Sequence, residues 1–236
     1  MSEAPEAAPG PAPDTAPDTA TPVVGWRLWL LAGDPAEPEL CSPAVPGVWR
    51  HRTAMTAACT RGCARSPARD CGCGLYATAT PERLLAGFAE DGTVLGCVAL
   101  WGRVVEADHG WRGEDGYPLV LLVSRPDPAE DYLSPSLAHA RRVRRLVRAG
   151  GPAAYDDTAL RTLGDRYGTP VRPVTGALAS LRHDGSVTRT AAALRDEAAG
   201  GLAARRLGDV AARRRLVRAV EDVAAVLERR GQASPG

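Results

Sequence analysis

Three hydrophobic runs in the first half of the chain have the pattern of β-strands. VVGWRLWLL starts at Val23, TVLGCVALWGRVVE covers Thr93 to Glu106, and LVLLVS covers Leu119 to Ser124. β-Branched and aromatic residues at this density favour strands. The run from Thr93 predicts either two strands or one long bent strand, in which Gly96 and Gly102 mark close approaches or bulges. The residues between the last two runs, HGWRGEDGYP, predict a turn-rich connection.

Helical periodicity dominates the second half of the chain. The sequence predicts a basic helix from Leu137 to Ala149 and a shorter helix from Asp157 to Tyr167, each stopped by a glycine that follows. A last helical stretch starts near Ser186, and further along it apolar residues recur at spacings of three and four, which gives one apolar face. In the first half only PERLLAGFAED, with Pro81 in its first turn, predicts a helix.

These elements predict an α+β protein in which a small β-rich module precedes an arginine-rich helical tail. The first residues are rich in Ala, Pro, Asp and Thr and contain the near-repeat APDTAPDTATP, which cannot bury enough apolar surface to offset its ordering entropy. The predicted divisions are a disordered leader at 1–22, the β-rich module at 23–125, a linker at 126–136, a helical region at 137–230 and a disordered tail at 231–236.

Composition and charge argue against several classes of function and indicate none directly. The formal net charge is +1, so no global field attracts nucleic acid or an anionic membrane. Every basic residue is arginine, and Lys, Ile and Asn are absent, a bias typical of a GC-rich genome and therefore weak evidence for nucleic-acid binding. No secretory signal and no apolar stretch of about 18 residues occurs, which predicts a cytoplasmic protein without a membrane partner. In a reducing compartment, clustered cysteines are metal ligands or reactive thiols more often than disulfides.

Four cysteines form the one chemically specific pattern, Cys59-x3-Cys63-x7-Cys71-x-Cys73. Four thiolates in a tetrahedron are a ligand set that Zn²⁺ prefers, so we predict a structural zinc site that stabilises the β-rich module. The one-residue gap is unusual and requires Gly72 to adopt a conformation closed to other residues. His51 and Cys41 are alternative ligands if one of the four turns away.

Other roles for these cysteines stay open at the level of sequence. They can be redox thiols, a disulfide, ligands of an iron–sulfur cluster, or thiols in a small-residue loop without a role. Catalytic zinc is less expected, because four protein ligands leave no position for water. Because a small β unit with few aromatics gains folding free energy from a metal, the sequence predicts that chelation unfolds residues 23–125.

Two further groups of residues have a functional and a structural interpretation. Glu106, His109 and Arg112 fall in the predicted connection beside aromatic residues and can form an acid/base pocket, although the pattern favours a charged hairpin loop. The basic helix can grip phosphates or present a solvated face, and its arginines are Arg141, Arg142, Arg144, Arg145 and Arg148. The apolar face of the last helix predicts a helical hairpin or a homo-oligomer. No nucleophile elbow and no phosphate-binding loop occurs.

The string CxxxCxxxPxxxCxCGLYA from Cys59, followed by VLGCVALWGRVVE and HGWRxxxGYP, resembles a family of small actinobacterial proteins. Its members share a Cys-rich segment ending in C-x-CG-x-YA and a WGRVVE-type strand. The resemblance covers about residues 25–123 and implies a compact unit without implying a reaction.

The leading interpretation is therefore a zinc-stabilised, non-enzymatic interaction module that binds a protein or a nucleic acid. One alternative is an enzyme with its pocket at Glu106, His109 and Arg112. The other is a DNA- or RNA-binding protein that uses the C-terminal helices.

Overall fold

A computed structural model describes residues 18–44, 47–88, 92–125, 155–175, 189, 192–200 and 218–225. Eight strands are present in these ranges: β1 (Asp18–Ala32), β2 (Glu39–Cys41), β3 (Val48–Trp49), β4 (Met55–Thr56), β5 (Leu75–Thr78), β6 (Thr93–Ala107), β7 (Gly110–Arg125) and β8 (Val171–Thr175). The helices are α1 (Glu82–Phe88) and α2 (Asp157–Tyr167). Residues 192–200 and 218–225 are also helical. The α+β class is confirmed.

The strands form one sheet built around β1, β6 and β7. β6 pairs antiparallel with both β1 and β7, and β2 and β3 extend the sheet from the end of β1. β5 pairs with β7 and, through Trp26 and Thr78, with β1, so the sheet closes on itself at this end. β4 also pairs with β7, and β8 joins β7 in parallel. β7 thus contacts four other strands, and two of them flank the cysteine segment.

The run from Thr93 forms one long bent strand, which confirms one of the two predicted alternatives. The pairing of β6 with β7 shifts register between Trp101 and Val104, where Gly102 has a φ of 70°. Gly96 marks a close approach, because a Cβ atom there would lie 1.9 Å from the carbonyl oxygen of Val120. Both glycines therefore have the roles that the sequence indicated.

Helices cover both faces of the sheet. On one face, α2 buries Leu160, Leu163 and Tyr167 against a cluster that includes Trp29 and Trp49. α2 begins after Asp156, whose carboxylate accepts the amides of residues 158 and 159, and it ends at the left-handed Gly168. On the opposite face, α1 and the helical segments at 192–200 and 218–225 pack on a second cluster. The sheet is consequently a buried middle layer.

Three predicted features differ from the structure. HGWRGEDGYP was expected as a connection, but only Asp108 and His109 form the turn, and the rest extends β7. Alternating glycines and large residues allow this segment to lie in a crowded part of the sheet. β1 begins at Asp18, within the segment assigned to the leader. β8 lies inside the predicted helical region, where prolines 170 and 173 disfavour a helix and the valines suit a strand.

The predicted helix from Leu137 to Ala149, the linker at 126–136 and the tail at 231–236 lie outside the described residues. Within the last helical stretch, Val220, Val223 and Ala224 are buried in the core of the same chain. These three apolar residues therefore pack on the sheet itself. In the described parts of the chain, no helix is both long enough and apolar enough to span a bilayer.

Candidate metal centre

The cysteine segment is a loop, residues 57–74, whose two ends are held side by side on β7. β4 leads into the loop and pairs with β7 at Asp115 and Gly116, while β5 leaves it and pairs with β7 from Gly113 back to Gly110. The amide of Ala57 also donates to the carbonyl of Glu114 at 2.7 Å. The sheet therefore brings distant parts of this loop together before any ligand binds.

The four cysteines of the sequence pattern converge at one point. The sulfur atoms of Cys59, Cys63, Cys71 and Cys73 all lie within 4.8 Å of one another, and all four residues are partly buried free thiols. The Sγ atoms of Cys59 and Cys71 are 3.8 Å apart. With zinc–sulfur bonds of about 2.3 Å, the edges of a tetrahedral ZnS₄ site are about 3.8 Å. The group can thus hold a single metal ion after only small movements.

Backbone amides point at two of the sulfur atoms. The N–H of Arg61 donates to Cys59 Sγ and the N–H of Ala68 donates to Cys73 Sγ, both at 3.3 Å. Hydrogen bonds of this kind orient thiolate ligands and stabilise their charge. Hydrogen bonds in the cluster also give neighbouring thiols different pKa values. Hydrogen bonds from Cys63 and then from the amide of Arg61 lower the pKa of Cys59 to about 6.

Cys63 has the opposite protonation preference. Its hydrogen bonds to the sulfurs of Cys59 and Cys71 hold the proton on Cys63 and raise its pKa to about 12. For Cys73, burial opposes ionisation, but hydrogen bonding that includes the amide of Ala68 outweighs it and the pKa is lowered. Without a cation, the cluster therefore shares its negative charge unequally, as expected for thiolates that repel one another.

The glycine with a positive φ at the C-x-C pair is Gly74, which follows the pair, and not Gly72, which lies within it. Gly74 has a φ of 123°, whereas Gly72 is absent from the glycines with positive φ in the described residues. A Cβ atom on Gly74 would lie 3.0 Å from the Cβ atoms of both Arg112 and Pro67. The expectation for Gly72 is therefore wrong, because the left-handed residue follows the C-x-C pair.

Arg112 extends from β7 under the loop and binds its backbone. Its Nη1 atom donates to the carbonyls of Ala68 and Cys73 at 3.1 Å each, and also to the carbonyl of Cys71. The side chain of Arg112 is almost fully buried, at 8% exposure. A guanidinium group satisfies several carbonyls of one irregular segment at once because its donors form a rigid fork. Arg112 thus fixes the part of the loop that carries Cys71 and Cys73.

A second residue of β7 holds the opposite side of the loop. Glu114 accepts hydrogen bonds from Arg65 Nε at 2.9 Å and Nη2 at 2.5 Å, and from the amide of Arg103 at 3.0 Å. The hydrogen bonds from Arg65 lower the pKa of Glu114. Arg112 and Glu114 together connect the loop to the same strand on which its ends are paired.

The structure separates the residues of the predicted acid/base pocket. Glu106 and His109 are exposed at the tip of the β6–β7 hairpin. Glu106 lies opposite Trp111 and Arg112 lies opposite Val105, so Glu106 and Arg112 are on opposite faces of the hairpin. Arg112 binds the backbone of the cysteine loop instead.

The two alternative ligands lie elsewhere. Cys41 is buried in β2, and His51 is exposed, with its ring centroid 6.4 Å from that of Tyr167. The arginines at 141, 142, 144, 145 and 148 lie outside the described residues.

Sequence reasoning missed Arg112 and Glu114 as supports of the loop. The alternation of WRGEDG, with two charged side chains two residues apart, is the signal of one face of a strand, but its glycines favoured a turn. Compared with known protein families, with curated proteins and with solved structures, the chain matches none of them. The resemblance to small actinobacterial proteins stays a prediction.

Proposed function

We propose that this protein is a zinc-stabilised binding module without catalytic activity. In this proposal one Zn²⁺ ion, held by Cys59, Cys63, Cys71 and Cys73, fixes the loop at residues 57–74 on β7. The convergence of the four sulfur atoms within 4.8 Å is the observation that carries the proposal. A span this short suits one ion rather than a cluster of several metal atoms.

A structural role fits the ligand set better than a catalytic role. Four thiolates fill the tetrahedron and leave no position for an activated water molecule. Neither of the two core clusters of the sheet contains any of the four cysteines. The metal would therefore order the loop, and we expect chelation to release the loop while most of the sheet remains folded.

The proposed partner is a protein or a nucleic acid that contacts the ordered loop. Arg61, Arg69 and Asp70 are exposed on this loop, so its surface offers charges of both signs to a partner. For a nucleic acid, the logarithm of the affinity should fall linearly with the logarithm of the salt concentration, with a slope set by the number of phosphates neutralised. An affinity that does not depend on salt would favour a protein partner.

The metal itself is tested by elemental analysis of protein purified without a histidine tag. We expect one zinc per chain in the wild type, a large loss of zinc in Cys71→Ser, and full zinc content in Cys41→Ala. Cys41 is a matched control because it is a free thiol 5% exposed in β2 and outside the cluster. Equal metal content in Cys71→Ser and the wild type, or wild-type protein that is isolated without any bound metal, would refute the proposal. Iron in place of zinc would retain the site and change its metal.

A further inference from the structure

A cleft of about 640 Å³ lies beside the cysteine loop. Part of its lining is the loop itself, including Cys59 and Cys71, and another part is the stretch of β1 from Trp26 to Leu28. The cleft forms where the edge of β1 changes partner, from β5 at Trp26 to β2 at Leu30. Its volume lies within the roughly 300–1,000 Å³ that is typical of sites for small molecules.

The cleft contains a cation without an anionic partner. Arg27 Nη1 donates to the carbonyl of Tyr76 at 2.7 Å, and Nη2 donates to Ser42 Oγ at 3.1 Å. The guanidinium carbon lies 4.8 Å from the centroid of the Trp49 ring. No carboxylate of the described residues pairs with Arg27, and burial alone lowers its pKa to about 10. Arg27 is therefore still charged at neutral pH.

One donor of this cation lacks an acceptor. The Nε of Arg27 is buried without a hydrogen-bond partner among the described residues. A charge that has lost water and gained no counter-ion is costly, and a buried donor without an acceptor adds to that cost. An anionic ligand beside the guanidinium group would offset the cost of the uncompensated charge.

Much of the remaining lining is apolar, although Thr56, Thr60 and Arg61 also contribute to it. Leu28, Met55, Ala57 and Leu84 contribute to it, and the ring of Tyr76 is half exposed beside them. A ligand that fits this surface combines an apolar body with one anionic group. A larger polyanion such as a nucleic acid would find two arginines in this lining, Arg27 and Arg61.

We propose that this cleft binds a small organic anion, with its carboxylate on Arg27 and its apolar body against Leu28, Met55 and Leu84. The site is separate from the metal, although the cysteine loop forms one of its walls. Its occupant is a free small molecule and not the protein or nucleic-acid partner of the loop surface.

The test uses isothermal titration of the full-length protein, as purified, with octanoate and with octylammonium. These probes share an apolar chain and differ in the sign of their charge. We expect octanoate to bind and octylammonium to bind at least tenfold more weakly. Equal binding of the two probes, or no binding of octanoate at about 1 mM, where weak ligands are still detected, would overturn the proposal.

Variants locate the site. Arg27→Gln should weaken octanoate binding at least tenfold, whereas Arg161→Gln, which removes an exposed arginine of α2, should leave it unchanged. Arg27 also bridges β5 and Ser42, so its removal can impair folding. Ala44→Trp provides a second variant, because Ala44 is exposed and lines the cleft. A folded Ala44→Trp that binds octanoate as tightly as the wild type would overturn the proposal.

Retention of octanoate binding after the zinc is removed would separate this site from the metal site, and loss of octanoate binding only in that sample would show that the metal maintains the wall.

Discussion

Replacing Arg112 with glutamine should release the cysteine loop from β7 and weaken metal binding. Arg112 Nη1 is within hydrogen-bond distance of three carbonyls, those of Ala68, Cys71 and Cys73. That nitrogen has only two hydrogens, so about two full bonds form at any time. At about 1.5 kcal/mol for each bond to a charged donor, the loop would lose about 3 kcal/mol.

Part of this loss should appear as weaker metal affinity. The ligands Cys71 and Cys73 lie on the backbone that Arg112 holds, and removal of groups that orient metal ligands typically weakens binding about 10- to 100-fold. Zinc affinity is measured by competition with a chromophoric chelator at fixed pH, and global stability by urea unfolding followed through tryptophan fluorescence. Arg112→Lys should fall between the wild type and Arg112→Gln, because an ammonium keeps the charge and lacks the planar fork.

Arg125→Gln is the matched control for Arg112→Gln. Arg125 lies at the other end of β7, donates to the carbonyl of Tyr155 at 2.7 Å and pairs with Asp157. Its removal should lower stability while zinc affinity stays unchanged. A folded Arg112→Gln with wild-type zinc affinity would refute the role assigned to Arg112.

Two further perturbations test the same loop. Glu114→Gln should lower stability by about 0.5–1 kcal/mol near neutral pH, because it removes the Arg65 pair, whose carboxylate is about one-fifth exposed. The folded-state pKa of Glu114 is lowered, so this stabilisation is present above the unfolded value of about 4.3 and disappears as the pH falls through the folded-state pKa. Urea unfolding of both proteins should therefore show a difference near neutral pH that shrinks toward about pH 3, and a constant difference would contradict the prediction. Gly74→Ala should destabilise the loop by about 1–3 kcal/mol and reduce zinc content, since an alanine would carry positive-φ strain and approach two Cβ atoms at 3.0 Å. Gly62 has a φ of 81° and open space around an added methyl group, so Gly62→Ala should lower the stability less than Gly74→Ala. Equal losses of stability in the two variants would exclude the steric contribution at Gly74.

The sequence predicted those elements whose signals are local. α2 has the bounds expected from its apolar spacing and its glycine stop, and β6 has the predicted bend at Gly102. The group of four cysteines could also be predicted from the sequence, because its members lie within fifteen residues of one another. β8 was missed because a five-residue strand acquires its identity from pairing with β7, which is distant in sequence.

The role of Arg112 beneath the cysteine loop could not be predicted from the sequence for the same reason. Nothing near Arg112 in the sequence indicates that its partners are carbonyls about 40 residues earlier. Its neighbours, Glu106 and His109, suggested a polar pocket because they are close in sequence, but strand alternation places Glu106 on the other face. Proximity in sequence therefore predicted the wrong contacts for Arg112, although it identified Arg112 as a candidate site residue.

β7 links the loop to the core of the protein. Its second half buries Leu121, Leu122 and Val123 in the sheet, while its first half carries Arg112 and Glu114 under the loop. A strand anchored by its apolar half cannot shift by one residue without turning those buried side chains to the opposite face. The register that the core imposes therefore also sets the positions of the two residues that hold the loop. For this reason the sulfur atoms can be brought close together by a sheet whose core contains none of them, and the metal has only to complete an arrangement that the fold has largely prepared.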